Sequence, residues 1–311
     1  MRKIAVSVCT YRRNHGLAAL LASLDRQRFR QLRDGEVCLI VVDNSPEAGA
    51  AELCARWRGR FPIRFVHEPR KGLAFARNGC LDAAREIGAT HIAFIDDDEM
   101  AAPCWLEALL YRMGETGAEA ALGPVSPVFE APPPWWLPVE AFHKRAPLRN
   151  GFAREGYTCN ALVSMAALAR FGLRFDQRFN ETGGEDTALF GRLIAGGGRI
   201  AWAADAHVYE VVPRSRMRGA WLCRRWYRTG TNEVHLRERG DLFLLSRLLC
   251  AARGVSRIGF GAGRIAYALA FHSWRNPARL VASCYTACRG AGFIAAALGL
   301  SYREYNRSDY R

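Results

Sequence analysis

Several familiar signatures are missing from this 311-residue chain. It contains no Gly-x-Gly-x-x-Gly and no Walker loop, which argues against a dinucleotide site or a P-loop. Its ten cysteines include no Cys-x-x-Cys pair, so they read as reduced, buried, small apolar residues of a cytosolic protein. Cys284 and Cys288 stand one helical turn apart, which adds little. There is no low-complexity tract, and aromatics make up 11%, as expected of a folded chain. No uncharged apolar run approaches the roughly 18–20 residues of a membrane span. Met1-Arg2-Lys3-Ile4 leads straight into a strand-like run, so no signal peptide is expected.

Acids are scarce in one region only. Residues 1–210 hold 26 Arg plus Lys against 25 Asp plus Glu, whereas residues 211–311 hold 18 Arg against 5 acids. Nearly all of the net charge of +14 therefore lies in the last third. Such asymmetry points to a polyanionic partner: membrane phospholipid, a phosphate-bearing substrate or nucleic acid.

The stretch that organises the rest is His91-Ile92-Ala93-Phe94-Ile95-Asp96-Asp97-Asp98-Glu99. A continuous apolar run is the mark of a strand buried in a parallel sheet. Acids just past its carboxyl end sit where open α/β sheets place ligands. Crowded carboxylates repel and raise one another's pKa, a cost offset by a divalent cation such as Mg²⁺ or Mn²⁺ shared with substrate phosphates. An acid run alone usually means a solvated loop; the buried strand before it favours the ion site.

The preceding chain repeats one plan. Lys3 to Cys9 is a short apolar strand, followed by a polar loop at Thr10-Tyr11-Arg12-Arg13-Asn14 and a helix marked by Leu17, Leu20, Leu21 and Leu24. Val37 to Val42 is a second strand ending in Asp43-Asn44-Ser45, with a helix from Ala48 to Trp57. Ile63 to Val66 is a third strand, and Gly72 to Ile87 a third helix. This alternation predicts a Rossmann-like α/β fold with a mostly parallel sheet. Thr10, Tyr11, Arg12, Asp43, Arg77, Asn78, Asp96 and Asp97 could then surround a nucleotide. Asp43 could accept from a base N–H or merely hold a turn, Asp96 could accept from ribose hydroxyls, and Arg77 could face phosphate or base.

Taken together, Val41-Val42-Asp43-Asn44-Ser45, Lys71-Gly72-Leu73-Ala74-Phe75-Ala76-Arg77-Asn78 and Phe94-Ile95-Asp96-Asp97-Asp98-Glu99 resemble family 2 glycosyltransferases with the nucleotide-sugar (type A) fold. The acid pair in Gly183-Gly184-Glu185-Asp186-Thr187-Ala188-Leu189 matches the same family, and the likeness spans about residues 3–210. The resemblance implies inverting transfer from a nucleoside-diphosphate sugar, most simply a UDP-sugar, with metal assistance. It further implies base contact at Asp43, ribose contact at Asp96 and metal binding at Asp98. The general base falls on Asp186, with Glu185 assisting acceptor binding. Some relatives place a metal-binding histidine at the position of His207, although a lone histidine is more often structural.

Beyond the acid run, a helix from Trp105 to Met113 and a strand from Ala120 to Gly123 continue the alternation. Ala131 to Pro138 then breaks it, with three consecutive prolines beside Trp135 and Trp136. Those tryptophans could stack on sugar or simply pack the loop. Tyr157 to Val163 is another strand, on which Thr158 and Asn160 share a face. By resemblance it would run under the donor sugar. Glu185 and Asp186 open a helix from Thr187 to Ala195, where acids are also common as capping groups. Arg199 to Trp202 is a short strand.

From Pro213 to about Arg237 the spacing predicts a helix. On it Arg214, Arg218, Trp221, Arg225 and Arg228 form one cationic stripe, suited to a diphosphate or a lipid-linked acceptor. Arg225-Trp226 resembles the Arg-Trp of processive synthases, but the glutamine upstream and the flanking spans are missing. Leu242 to Leu249, Ile265 to Trp274 and Phe293 to Leu300 are apolar helical segments interrupted by Arg247, Arg253, Arg257, Arg264, Arg275, Arg279 and Arg289. Such helices suit an anionic membrane interface, or a subdomain or dimer contact. The expected division is a catalytic domain over 1–212 and a basic amphipathic helical region over 213–311. The expected enzyme transfers sugar to a glycan or lipid-linked hydroxyl, peripheral on the inner face of the cell membrane and without a nucleic-acid partner. A nucleotidyltransferase and a non-catalytic membrane-binding protein are the alternatives.

Overall fold

The computed structural model describes residues 2–235, 243–271 and 277–300. Predicted helix ends at Arg237, Leu242 and Trp274, and the arginine at 275, lie outside them. Two compact units are present. The first comprises Met1–Val128, His143–Asn180 and Glu185–Val211; the second comprises Phe129–Phe142, Glu181–Gly184 and Val212–Arg311.

The first unit is built on β1 (Ile4–Thr10), α1 (Asn14–Asp25), β2 (Val37–Asp43), α2 (Ala51–Arg56), β3 (Ile63–His67), α3 (Leu73–Glu86), β4 (His91–Ile95), β5 (Glu99–Ala101) and α4 (Trp105–Thr116). There follow β6 (Ala120–Leu122), β7 (Val125–Phe129), β8 (Leu148–Arg149), β9 (Phe152–Ala153), β10 (Asn160–Ser164), α5 (Met165–Arg170), α6 (Glu185–Ala195), β11 (Ile200–Trp202) and β12 (Val208–Val212). The main sheet has the order β3-β2-β1-β4-β10-β6-β11-β9-β8. β3, β2, β1 and β4 are mutually parallel. β10 runs against both β4 and β6. A smaller sheet has the order β5-β12-β7.

Strand periodicity of two divides the core. Ile4, Val6, Val8, Leu39, Val41, Ala93 and Ile95 face one way, against Leu17, Leu20, Leu21 and Leu24 of α1 and Trp105 and Leu109 of α4. Ala5, Ile40, Val42, Ile92 and Phe94 face the other, against Ala76, Cys80, Leu81 and Ala84 of α3 and Leu189, Phe190 and Leu193 of α6. Both faces are covered, which is why these strands read as unbroken apolar runs. The loops that begin at Thr10, Asp43 and the acid run leave the carboxyl ends of β1, β2 and β4.

The second unit contains α7 (Gly219–His235), α8 (Phe243–Ala270) and α9 (Pro277–Ala297). The single helix expected from Pro213 is instead a 3₁₀ turn at Arg214–Met217 followed by α7, because Arg218 adopts extended backbone angles between them. Arg214 and Arg218 therefore do not continue the helical stripe that carries Arg225 and Arg228. The apolar segments expected from Leu242 and from Ile265 share one helix, α8, rather than forming two.

Glycines set the spacing of these helices. A Cβ on Gly254 would stand 2.8 Å from the Gly290 carbonyl oxygen, and one on Gly290 would stand 2.7 Å from that of Gly254. On the α7–α9 side, Gly230 meets the Arg289 carbonyl and Gly292 the Tyr227 carbonyl at closer range still. Leu137, Phe142, Val212, Met217, Leu222 and Trp226 form a small core in the same unit. Arg279–Ala297, with mean hydropathy 1.3, is long and apolar enough to cross a membrane by length and composition, and 33% of it is buried within the protein. Arg279 and Arg289 interrupt it, so no uncharged run was visible.

Candidate active site

The acid run leaves β4 beside the carboxyl end of β1. Thr10 closes β1, and its Oγ1 donates to Asp97 Oδ2 at 2.8 Å. Arg12 adopts a positive φ of 56°, which few residues with a side chain accept. Its guanidinium turns away to Glu47, over the exposed ring of Tyr11. The next residue, Arg13, turns to the acids: one guanidinium nitrogen donates to Asp97 Oδ1 and Asp98 Oδ2, each at 3.1 Å. The α1 backbone presses on this loop, for a Cβ on Gly16 would stand 2.5 Å from the Asp97 carbonyl oxygen. Burial pushes the Asp97 carboxyl up to about 6, with Arg13 opposing the rise. Burial likewise raises Asp96, with Arg77 opposing.

Arg77 joins this loop to the second acidic stretch. It leaves α3, is only 6% exposed, and donates to Glu185 Oε1 at the start of α6. Its other terminal nitrogen lies 3.6 Å from Asp96 Oδ1, and Phe175 provides an aromatic face 5.8 Å away. Glu185 is buried, and its second oxygen has no hydrogen-bond partner. Burial drives its carboxyl up to about 7, against the pull of Arg77. Asp186 follows with an Oδ1 that accepts from the Thr187 backbone N–H at 2.7 Å and hydroxyl at 3.3 Å. The two acid clusters, far apart in sequence, thus share one buried guanidinium.

Other expected ligands are occupied by the fold. Asp43 is buried, and its two carboxylate oxygens accept from the N–H groups of Ser45 and Ala50, each at 2.8 Å. Those two bonds hold the turn after β2. Asn78 donates to the Phe175 carbonyl at 2.9 Å and accepts from the Phe175 N–H at 3.0 Å. Asn160 accepts from Trp105 Nε1 at 2.8 Å and donates to the carbonyls of Pro124 and Ala206 at 3.0 and 2.7 Å. Both amides bracket distant segments of the chain. Thr158 precedes β10 and is buried, with an unpartnered hydroxyl.

Beneath the acid loop lies a buried polar nest that sequence reasoning missed. Ligand atoms of Asp96, Glu99 and Cys159 fall within 4.8 Å of one another. Glu99 Oε2 accepts from the Asp96 N–H at 2.8 Å, while Oε1 is buried and unpartnered. Lys144 pairs with Glu210 at 2.9 Å. Burial opposes the Lys144 charge, yet Cys159, Glu210 and Glu99 keep its pKa well above the ordinary value. A hard divalent ion prefers carboxylate oxygens alone. The Cys159 sulfur therefore makes the nest a poor seat, whereas Asp98 offers a carboxylate with a side chain 24% exposed, one oxygen of which accepts from Arg13. The β5–β12 register places His207 opposite Ala102 and Val211 opposite Asp98, so four residues of extended chain, roughly 13 Å, separate the two.

The remaining candidates belong to the second unit. Trp135 is 77% exposed and Trp136 half-buried. Trp221 stacks on Phe142 with ring centroids 6.0 Å apart, and carries Arg216 and Arg225 at 5.9 and 5.1 Å.

The model of glycosyl transferase family 2 matches residues 5–174, a stretch running from β1 past the acid loop and β10. The chain belongs to this family. As a family 2 member it is a glycosyltransferase, which displaces the nucleotidyltransferase and non-catalytic alternatives. It is 38% identical over 242 residues to the succinoglycan biosynthesis protein ExoM of Rhizobium meliloti (strain 1021), covering 75% of this chain and 74% of ExoM. Among solved structures, S. aureus TarS 1–349 in complex with UDP-GlcNAc matches with a TM-score of 0.57 at 18% identity, over 79% of this chain and 69% of that one. The UDP complex of the same TarS fragment matches over 97% of this chain and 93% of that one, with a TM-score of 0.55 at 15% identity. Against the longer TarS chain, this protein spans 42% of the length. At such identities the likeness establishes the type A fold alone.

Proposed function

We propose that this family 2 enzyme transfers a sugar from a nucleoside diphosphate, most simply UDP, to a hydroxyl of a glycan or lipid-linked acceptor, with inversion in one displacement. The observation that carries this reading is the Arg77 bridge, which sets Asp96 and Glu185 around one cation. The acid loop forms the donor side and the head of α6 the acceptor side.

Asp186 stands as the general base. It takes the proton of the acceptor hydroxyl as that oxygen bonds to the anomeric carbon, and the bond from that carbon to the diphosphate oxygen breaks with its electron pair. A base must lie within hydrogen-bond reach of the proton it removes. The Asp186 carboxylate at the helix head, hydrogen-bonded to its neighbour Thr187, supports this reading. Glu185, locked on Arg77, positions rather than reacts. Asp98 would hold the Mg²⁺ or Mn²⁺, which when bound supplies positive charge for the departing diphosphate. ExoM's role in succinoglycan biosynthesis supports a glycan acceptor, and the TarS complex with UDP-GlcNAc supports a UDP-sugar donor. The acid-poor C-terminal helices support attachment to an anionic membrane from the cytoplasmic side.

The test is Asp186→Asn. Transfer should fall by at least about a thousandfold, the upper part of general-base contributions. UDP should still raise the melting temperature in the presence of Mn²⁺, as any ligand of the native state does. Near-parental transfer by this variant would remove Asp186 from the role of base.

A further inference from the structure

We propose that one face of α8 inserts into the boundary between headgroups and acyl chains of an anionic bilayer, the helix lying in the membrane plane. This deepens the membrane attachment proposed above and rests on it.

The face is defined by Arg253, Phe260, Arg264, Tyr267 and Phe271, at successive steps of seven, four, three and four residues. At 100° per residue they fall within about 60° of arc. Phe260 and Tyr267 are each 60% exposed and Phe271 is 66% exposed. Arg253 and Arg264 are exposed among them. Arg264 lies 5.5 Å over the Phe260 ring, and the Tyr267 and Phe271 rings stand 4.6 Å apart. A different side of α8, with Cys250, Gly254, Gly261 and Ala268 buried, faces the helix bundle. Exposed Phe and Tyr on one row are costly in water and suit the interface, where aromatic rings sit at headgroup depth. Arginines on that row reach outward to lipid phosphates while their stems stay among apolar groups.

Charge decides between lipid and a second copy of this chain. No acid occurs between Asp241 and Glu304. A twofold contact sets a patch against itself, so Arg253 and Arg264 would meet like charges with no carboxylate on α8 to pair them. Anionic lipid supplies the missing counter-charge, and each basic residue near such a surface favours binding.

The experiment is vesicle co-sedimentation of the full chain at low salt and at about 0.5 M NaCl, where surface charge is screened within a few ångströms. Wild type should bind phosphatidylglycerol-containing vesicles and stay bound at high salt. The triple variant Phe260→Ser/Tyr267→Ser/Phe271→Ser should partition at least about tenfold more weakly. Arg253→Gln/Arg264→Gln should lose the preference for phosphatidylglycerol over phosphatidylcholine while keeping part of the salt-resistant binding. Thermal unfolding and light scattering establish that each variant keeps its fold and mass. If salt releases wild type completely and the serine triple binds as wild type does, attachment by charge stands and insertion is overturned. If wild type binds no vesicle, both fall. A serine triple with half the parental molar mass would make the stripe a contact between copies and overturn the proposal.

Discussion

Replacing Arg77 with glutamine should produce a pH-dependent loss of stability, and the reason lies in Glu185. The two side chains are 7% and 2% exposed, so water screens their attraction little. Where Glu185 is ionised, above about pH 7, removing its partner leaves a buried charge uncompensated, at a cost of about 3–5 kcal/mol. For a unit of this size that corresponds to a melting temperature lower by roughly 10 °C. The sign with pH follows from the carboxyl. In the parent, burial already holds Glu185 near 7, above its ordinary value, so its contribution to stability is fully present at low pH and is lost as pH rises toward 7. Above that the parent ionises and loses no more. Without Arg77 the carboxyl is held higher still, so the variant goes on losing stability above pH 7. The gap between variant and parent should therefore be wider at about pH 9 than at about pH 6. Thermal unfolding followed by circular dichroism at both values reads this directly. Adding Glu185→Gln should recover most of the loss, because two amides can pair without charge. An equal gap at the two pH values, or a double variant as unstable as the single, would refute the account of Arg77 as counter-charge.

Asn160→Ala strips a partner from Trp105 Nε1 and from the Pro124 and Ala206 carbonyls, each worth about 1–3 kcal/mol when left unsatisfied and buried. Urea unfolding should show a loss of at least about 3 kcal/mol; a near-parental midpoint would refute Asn160 as a bracket between these segments. Thr10→Val removes a hydrogen bond that lowers the Asp97 pKa, so that carboxyl should titrate above its present value of about 6. The acid limb of the pH–rate profile should move upward with it, and an unmoved limb would show that the rate does not depend on an ionised Asp97.

How legible these features are in the sequence depends on how far each reaches. The acid loop and the Glu185-Asp186 head are read easily, because runs of one residue type at element ends survive without coordinates. The alternation that builds β1 to β4 is equally plain, since both sheet faces are covered and the strands are continuously apolar. The internal partners of Asn78 and Asn160 are not legible in sequence, because an amide's partner is invisible until the chain closes on it. Here those partners are backbone groups of Phe175, Pro124 and Ala206. The side-chain directions of Arg12 and Arg13 are invisible in sequence: Arg12, at positive φ, turns outward to Glu47, and Arg13 turns inward to the acids. The nest of Lys144, Glu210, Glu99 and Cys159 draws on four separate segments, and no local spacing announces it. The close approach of a neighbouring helix at Gly254 and Gly261 of α8 is likewise invisible until the chain folds.

Those bundle glycines have a bearing on ancestry. At Gly230, Gly254, Gly290 and Gly292 there is room for a hydrogen atom and nothing more, while the outward faces of the same helices are free to drift. Distant kin of this C-terminal unit should be recognisable by the intervals between their glycines after all resemblance in their bulky residues has faded. A chain that keeps the catalytic motifs but fills those four places must hold its helices farther apart, and so carry a different appendage on the same engine.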